Sequence, residues 1–222
     1  MDRSRVALVV PALNEAASIG NVVARAYRYG VPIVVDDGST DATAEIALAA
    51  GAEVVRHSRN GGYDAALNSG FAHAAKLGVE WAITLDADGQ HDPDTLPNFI
   101  TTLGSGAEVV IGIRDRLQRF SEHMYARYAL RTWGIADPLC GMKGYLMSVY
   151  QEHGCFDSCS SIGTELAICA AVRGHRIAQI PVPTRPRNGT PRFGNKLRAN
   201  TRILRALVAV RGLTRSLPPA MG

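Results

Sequence analysis

Several things are scarce or missing in this chain, and each absence narrows the reading. Four cysteines in 222 residues (Cys140, Cys155, Cys159 and Cys169) are too few for a disulfide scaffold. Cys155 and Cys159 lie four apart, but no His or Cys pair completes a zinc site at a standard spacing. The thiols read as reduced, in a cytoplasmic protein. No apolar run nears the ~20 residues needed to cross a bilayer, which excludes a spanning helix. The first apolar stretch, Val6–Leu13, is short and has no small-residue cleavage pattern after it, so it predicts a core strand rather than a signal peptide. There is no internal repeat and no linker long enough to separate independent domains. Neither G-x-G-x-x-G nor G-x-x-x-x-G-K-[ST] occurs, so any bound phosphate must be met by a metal and arginines. Acid is missing from the C-terminal end. Glu165 is the last acidic residue, and eleven Arg and Lys follow it unopposed, against thirteen basic and twenty acidic residues before. An acidic body suits a cation, and a purely basic end suits an anionic surface. The tail has little aromatic interleaving, which argues against nucleic acid.

What is present is ordinary globular composition, 46% hydrophobic and 20% charged, which excludes a disordered chain. Short Val/Ile-rich runs alternate with helix-like stretches. The pattern predicts strands at Val6–Val10, Ile33–Val35, Ala52–Arg56, Trp81–Leu85 and Glu108–Ile111. Helices are predicted between them at Glu15–Tyr29, Ala42–Ala50, Asp64–Leu77 and Pro93–Thr102. The second half is less regular, with helices at Ser121–Trp133, Thr164–Arg173 and Asn195–Val210 and strands at Tyr145–Met147 and Arg176–Ile180. Strands with helical crossovers imply an α/β fold with a mostly parallel sheet covered on both faces, which binds ligands at the carboxyl ends of its strands. The polar sequences fall there: Asn14-Glu15, Asp36-Asp37-Gly38-Ser39 and Asp86-Ala87-Asp88.

Asp86 and Asp88 alternate at a strand end, so their carboxylates can converge, and two such groups repel unless a cation or proton lies between them. Oxygen donors of this kind suit Mg²⁺ or Mn²⁺, with Gln90 and His91 next in line. The alternative is a solvated turn, with Asp92 and Asp94 capping a helix that starts at Pro93. Asp41 and Glu45 suit a helix start, whereas Asp36 and Asp37 need partners, which a base edge or ribose hydroxyls would supply. Asn60-Gly61-Gly62-Tyr63-Asp64 reads as a turn before a helix.

Together, Val10-Pro11-Ala12-Leu13-Asn14-Glu15, Val35-Asp36-Asp37-Gly38-Ser39-Thr40-Asp41 and Leu85-Asp86-Ala87-Asp88-Gly89-Gln90-His91-Asp92-Pro93 resemble the inverting family-two glycosyltransferases. Within them the chain is most similar to the polyprenyl-phosphate (dolichyl-phosphate) mannose or glucose synthases. The likeness continues through Asn60–Phe71, Gly112-Ile113-Arg114, Asp137–Lys143 and Ile180-Pro181-Val182-Pro183 with the arginine-rich loop after it. It implies a GT-A, Rossmann-like domain over residues 1–194 and a basic amphipathic helix and tail over 195–222. It also implies that Pro11, Asn14, Glu15 and Asp37 frame a nucleotide. Asp86, Asp88 and Gln90 would hold a divalent metal on the diphosphate of a nucleotide-sugar donor. Arg114, Arg119 and Arg131 would meet an acceptor phosphate, and Arg187, Thr190 and Arg192 would close over the donor. The family often has Lys-Gly where this chain has Tyr63-Asp64.

The implied reaction transfers a hexose, with inversion, to a polyprenyl phosphate. A lipid monophosphate has a second pKa near 6 and needs no general base. A sugar hydroxyl would need one, and Asp137 is the candidate, unless it only caps the turn before Pro138. In the C-terminal helix Leu197, Ile203, Leu204, Leu207 and Val208 share a face beside an Arg198–Arg202–Arg205 stripe. That pattern fits either a helix packed on the domain or one lying in an anionic membrane interface, which would make the protein peripheral to the membrane.

Overall fold

The structure, a computed structural model, describes residues 2–184 and 196–216. Seven strands form one sheet: β1 (Val6–Ala12), β2 (Val31–Asp36), β3 (Glu53–Arg56), β4 (Trp81–Thr84), β5 (Val109–Arg114), β6 (Lys143–Leu146) and β7 (Ile177–Val182). Their order is β3-β2-β1-β4-β6-β5-β7. All pairings are parallel except those of β6, which runs antiparallel to both β4 and β5. Around the sheet lie α1 (Ile19–Ala26), α2 (Thr43–Ala49), α3 (Tyr63–Leu77), α4 (Leu96–Gly104), α5 (Phe120–Trp133), α6 (Met147–His153), α7 (Glu165–Val172) and α8 (Lys196–Arg215).

Strand alternation sorts the core into two layers. Val6, Leu8, Val10 and Ala12 of β1 face α1, α2 and α4, packing on Ile19, Val23, Leu96 and Phe99. Ala7 and Val9 face the other way, onto Leu67 and Phe71 of α3 and Tyr125 of α5. Pro11 is tolerated inside a central strand because β4 ends opposite Val9, so no β4 pairing reaches the missing amide. From β1 the sheet extends one way to β2 and β3 and the other way to β4, making a crevice at the β1 and β4 carboxyl ends.

Several expectations shift. The first helix starts at Ile19 rather than Glu15, because Asn14 takes a left-handed φ of 53° and turns the chain before helix can begin. The seven-residue α6 has no counterpart in the sequence reading, since it buries only Met147 and Val149 and has no readable period. The C-terminal helix packs on α5 and α7 through Ala199, Ile203, Ala206 and Val210. The expected 194/195 boundary lies outside the described residues. No helix of the described residues is long and apolar enough to cross a membrane.

Candidate active site

The acidic segments converge on the crevice. After β2, Asp36 and Asp37 are both buried. Asp36 accepts the Ser39 N–H at 3.0 Å and lies 3.6 Å from Arg56. Asp37 accepts the Gly61 and Gly62 N–H groups, each at 2.8 Å, and pairs with His57 Nδ1 at 2.7 Å. His57 in turn reaches Ser69 Oγ at 2.8 Å. A carboxylate has about four acceptor positions, so among the described residues one remains on Asp37 Oδ2 for a ligand donor. Gly62 adopts φ +93°, which a side chain would strain, so the Asn60–Gly62 turn is built to wrap Asp37.

After β1, Asn14 links two loops: its N–H donates to Ser39 Oγ at 2.9 Å and its Oδ1 accepts the Thr40 N–H at 2.9 Å. Glu15 is buried, with its N–H on Thr43 Oγ1. Asp41 accepts the N–H groups of Thr43 and Ala16, so it serves the start of α2. Asn14 therefore shapes the pocket wall, with its carbonyl already engaged.

After β4, Asp88 is buried and Asp86 is partly open. The backbone of Gly141 presses against Asp86 so closely that a Cβ there would lie 2.5 Å from its Oδ2. Buried His91 stands 3.2 Å from the same Oδ2. Burial alone would lower the His91 pKa, but the Asp86 carboxylate outweighs it and lifts it to about 10, so the ring is an imidazolium at neutral pH. Gln90 enters the site through its N–H, which donates to Asp88 Oδ1 at 3.0 Å. Asp92 and Asp94 serve the neighbouring helix start: Asp92 caps it and both pair with Arg25. Among the described residues two sets of three metal-type ligand atoms lie within 4.8 Å of one another, and neither includes Asp86 or Asp88. The two carboxylates thus fit a hard cation that takes most of its shell from ligand oxygens and water, as Mg²⁺ commonly does, and not a closed protein cage.

At the end of β5, Arg114 binds Asp137 through two parallel contacts, Nε to Oδ2 at 2.8 Å and Nη2 to Oδ1 at 2.9 Å, and lies 3.5 Å from Glu122. Asp137 is also fixed by the Arg114 N–H. Burial opposes the charge on Arg114, yet Asp137 holds its pKa far above the ordinary range. The sequence led us to expect Arg114 on an acceptor phosphate and Asp137 as base or cap; the structure engages each with the other. Arg119 precedes α5 and donates to Glu122 at 2.8 Å, beside this pair. Arg131 is not brought here. It is exposed twelve residues further along α5, about 18 Å from Arg119 at the helical rise. Arg187, Thr190 and Arg192 lie outside the described residues; the described chain before them ends at Thr184, which bridges His91.

Two site residues escaped the sequence reading. Lys143 is wholly buried, and its Nζ donates to the Cys140 and Gly163 carbonyls, tying the turn before β6 to the loop before α7. Its signal was a lysine amid the apolar Met142–Leu146 run. His57 carried no local signal, because its role depends on the fold bringing β3 beside Asp37.

The glycosyl transferase family 2 pattern matches residues 7–162 of the chain. A dolichyl-phosphate hexose transferase from Haloferax volcanii is 30% identical over 197 residues, covering 83% of this chain and 84% of that protein. An undecaprenyl-phosphate 4-deoxy-4-formamido-L-arabinose transferase from Klebsiella pneumoniae is 30% identical over 199 residues, covering 80% of this chain and 59% of the relative. Among solved structures, glucosyl-3-phosphoglycerate synthase from Mycobacterium tuberculosis, in complex with Mn²⁺, uridine diphosphate and phosphoglyceric acid, superposes with a TM-score of 0.73. That match has 23% identity and covers 96% of this chain and 79% of the other, a likeness of GT-A fold. The matched segment carries the acids at the ends of β2 and β4 together with Arg114 and Asp137, and the chain belongs to glycosyl transferase family 2.

Proposed function

We propose that this glycosyltransferase moves a hexose, with inversion, from a nucleotide-diphosphate sugar to a polyprenyl phosphate at a membrane surface. The named relatives that act on dolichyl and undecaprenyl phosphates support the acceptor class. The observation that carries it is the Arg114–Asp137 pair. A hydroxyl acceptor needs a general base, and three of the about four acceptor positions on the Asp137 carboxylate are already taken by Arg114. A phosphate monoester needs only to be held in line. In this proposal Arg119, at the start of α5, orients it.

In this reading Asp37 offers its remaining acceptor position to a base N–H, while Asn14 and Glu15 shape the wall beside it. Asp86 and Asp88 would hold Mg²⁺ or Mn²⁺, which when bound offsets the charge that develops on the leaving diphosphate. His91 lies 3.2 Å from Asp86 on the same side. Arg187, Thr190 and Arg192 belong to the proposal as donor-phosphate contacts.

The test supplies radiolabelled nucleotide sugar with Mg²⁺ and a polyprenyl phosphate. Label should enter an organic-extractable, acid-labile product. A second reading, a soluble phosphorylated acceptor, is favoured by the phosphoglyceric acid in the neighbouring structure. Label that stays in the aqueous phase with every polyprenyl phosphate would overturn the lipid acceptor.

A further inference from the structure

Helices α5 and α8 lie side by side and run the same way: Ser121 Oγ donates to Asn200 Oδ1 near their starts, and Arg211 stacks over the Tyr128 ring at 5.5 Å further on. Each helix turns one face to the core, through Tyr125 and Ala129 on α5 and Ile203, Ala206 and Val210 on α8. With 100° per residue, these contacts fix where the remaining faces point. Phe120, Met124, Arg127 and Arg131 share one stripe of α5. Leu204, Arg205, Val208 and Arg215 share one broad face of α8, with Arg211 at its edge against α5. Both stripes lie about a quarter-turn from the inter-helix contact and opposite the core, so they make one outward surface.

That surface is unusual in two ways. Large apolar side chains stand in the open, with Phe120 74% and Val208 70% exposed, and Met124 and Leu204 also exposed. The charges among them are all arginine; the single acid on the two helices, Glu122, is buried against Arg114 and Arg119. A solvated helix face does not need exposed Phe and Val, and a protein-binding patch does not need a one-sign charge field.

Resting on the lipid-acceptor reading above, we infer that the paired outer faces of α5 and α8 form a docking platform for an anionic lipid bilayer. Phe120, Met124, Leu204 and Val208 enter the headgroup–acyl boundary, and the arginines meet lipid phosphates. The sequence reading left the Ile203 face to pack on the domain or to enter a membrane; the fold buries Ile203, and Leu204 and Val208 stand outward beside α5. Phe120 directly follows Arg119, so docking would set the acceptor end of the site at lipid phosphate height.

The experiment measures partition of the full chain onto phosphatidylglycerol/phosphatidylcholine vesicles and onto pure phosphatidylcholine vesicles. Wild type is compared with Phe120→Ser/Val208→Ser and with Arg127→Gln/Arg205→Gln, each checked for an unchanged melting temperature. Binding should need the anionic lipid and weaken at high salt. It should fall about fivefold for each arginine removed, and it should be lost in the double serine variant. Wild-type partition by both variants, or equal binding to the two vesicle types, overturns the platform. So does a dimer that the serine variant converts to monomer without any vesicle binding, since the face would then join two copies. Transfer to a short-chain polyprenyl phosphate in detergent is assayed in parallel. If that transfer persists without vesicle binding, the platform fails and the proposed reaction stands; vesicle binding without transfer has the reverse meaning.

Discussion

Asp64, in the first turn of α3, sits where an aspartate ionises reluctantly. Burial, with the Asp157 carboxylate nearby, raises its pKa to about 6 from the ordinary 3.8. An acid with a raised folded pKa destabilises the fold when it ionises: the penalty is absent below pH 3.8, grows between 3.8 and 6, and is complete above 6. Asp64→Asn retains an acceptor for the Gly163 N–H, which Asp64 Oδ1 holds at 2.7 Å. The variant should melt higher than wild type at pH 7.5, by up to about 3 kcal/mol of stability, and match it at pH 4. Asp137→Asn should behave in the opposite sense. It takes from half-buried Arg114 its two-point carboxylate partner and leaves Glu122 at 3.5 Å, so the cost should stay below the about 3–5 kcal/mol of a fully orphaned buried charge. If Asp137 only positions Arg114, the variant keeps measurable turnover, with a raised acceptor KM and an unshifted acidic limb in its pH–rate profile. A fall in kcat of a hundredfold or more with loss of that limb would make Asp137 a base. The positions of such acids were legible in the sequence, because strand ends and D-x-D spacing fix where a carboxylate stands. Their partners were not. Nothing local says that Asp37 is tied to Gly61, Gly62 and His57, or that Arg114 is claimed by Asp137, because these contacts span twenty or more residues and exist only once the sheet has formed.

Elements were legible in proportion to how strongly burial marked them, by an unbroken apolar run or by a helical period. The long parallel strands follow from continuous apolar runs buried on both faces and α3 from helical apolar spacing, whereas α6 is too short to display a period. The antiparallel entry of β6 between β4 and β5 was not readable either, since strand direction leaves no mark on a four-residue run. One helix–sheet contact has direct bearing on the site. At Gly70 of α3 a Cβ would come within 2.3 Å of Val9 Cγ1 in β1, so α3 lies against the sheet only because this residue lacks a side chain. Gly70→Ala must push α3 outward or displace Val9, a packing change of about 1–3 kcal/mol. The Asn60–Gly62 turn leads directly into α3, and it wraps Asp37. The variant should therefore lose nucleotide affinity as well as stability, visible as a raised donor KM with kcat less affected. An unchanged donor KM beside a lowered melting temperature would separate the helix position from the nucleotide site.

At the scale of the whole molecule the charge is divided, with twenty acids confined to residues 1–165 and an arginine-rich end folded back as α8 onto the same domain. The acids crowd the crevice ends of β2 and β4, where Asp36, Asp37 and Asp88 are all buried. A cation and an anionic diphosphate offset each other's charge in that crevice, so each should favour the other. Uridine diphosphate with Mn²⁺, at about a hundredfold above its dissociation constant, should add about 2.7 kcal/mol, a rise of roughly 5–11 °C in melting temperature for a chain of this size. Either component alone should give much less, and EDTA should abolish the joint effect. Asp88→Ala removes one of the two carboxylates; it should erase the part of the shift that depends on Mn²⁺, whatever the loss of its hydrogen bond from the Gln90 N–H does to the ligand-free protein. If Asp88→Ala keeps the full joint shift, the cation is held elsewhere, and the strand-end pair loses its assigned place in the reaction.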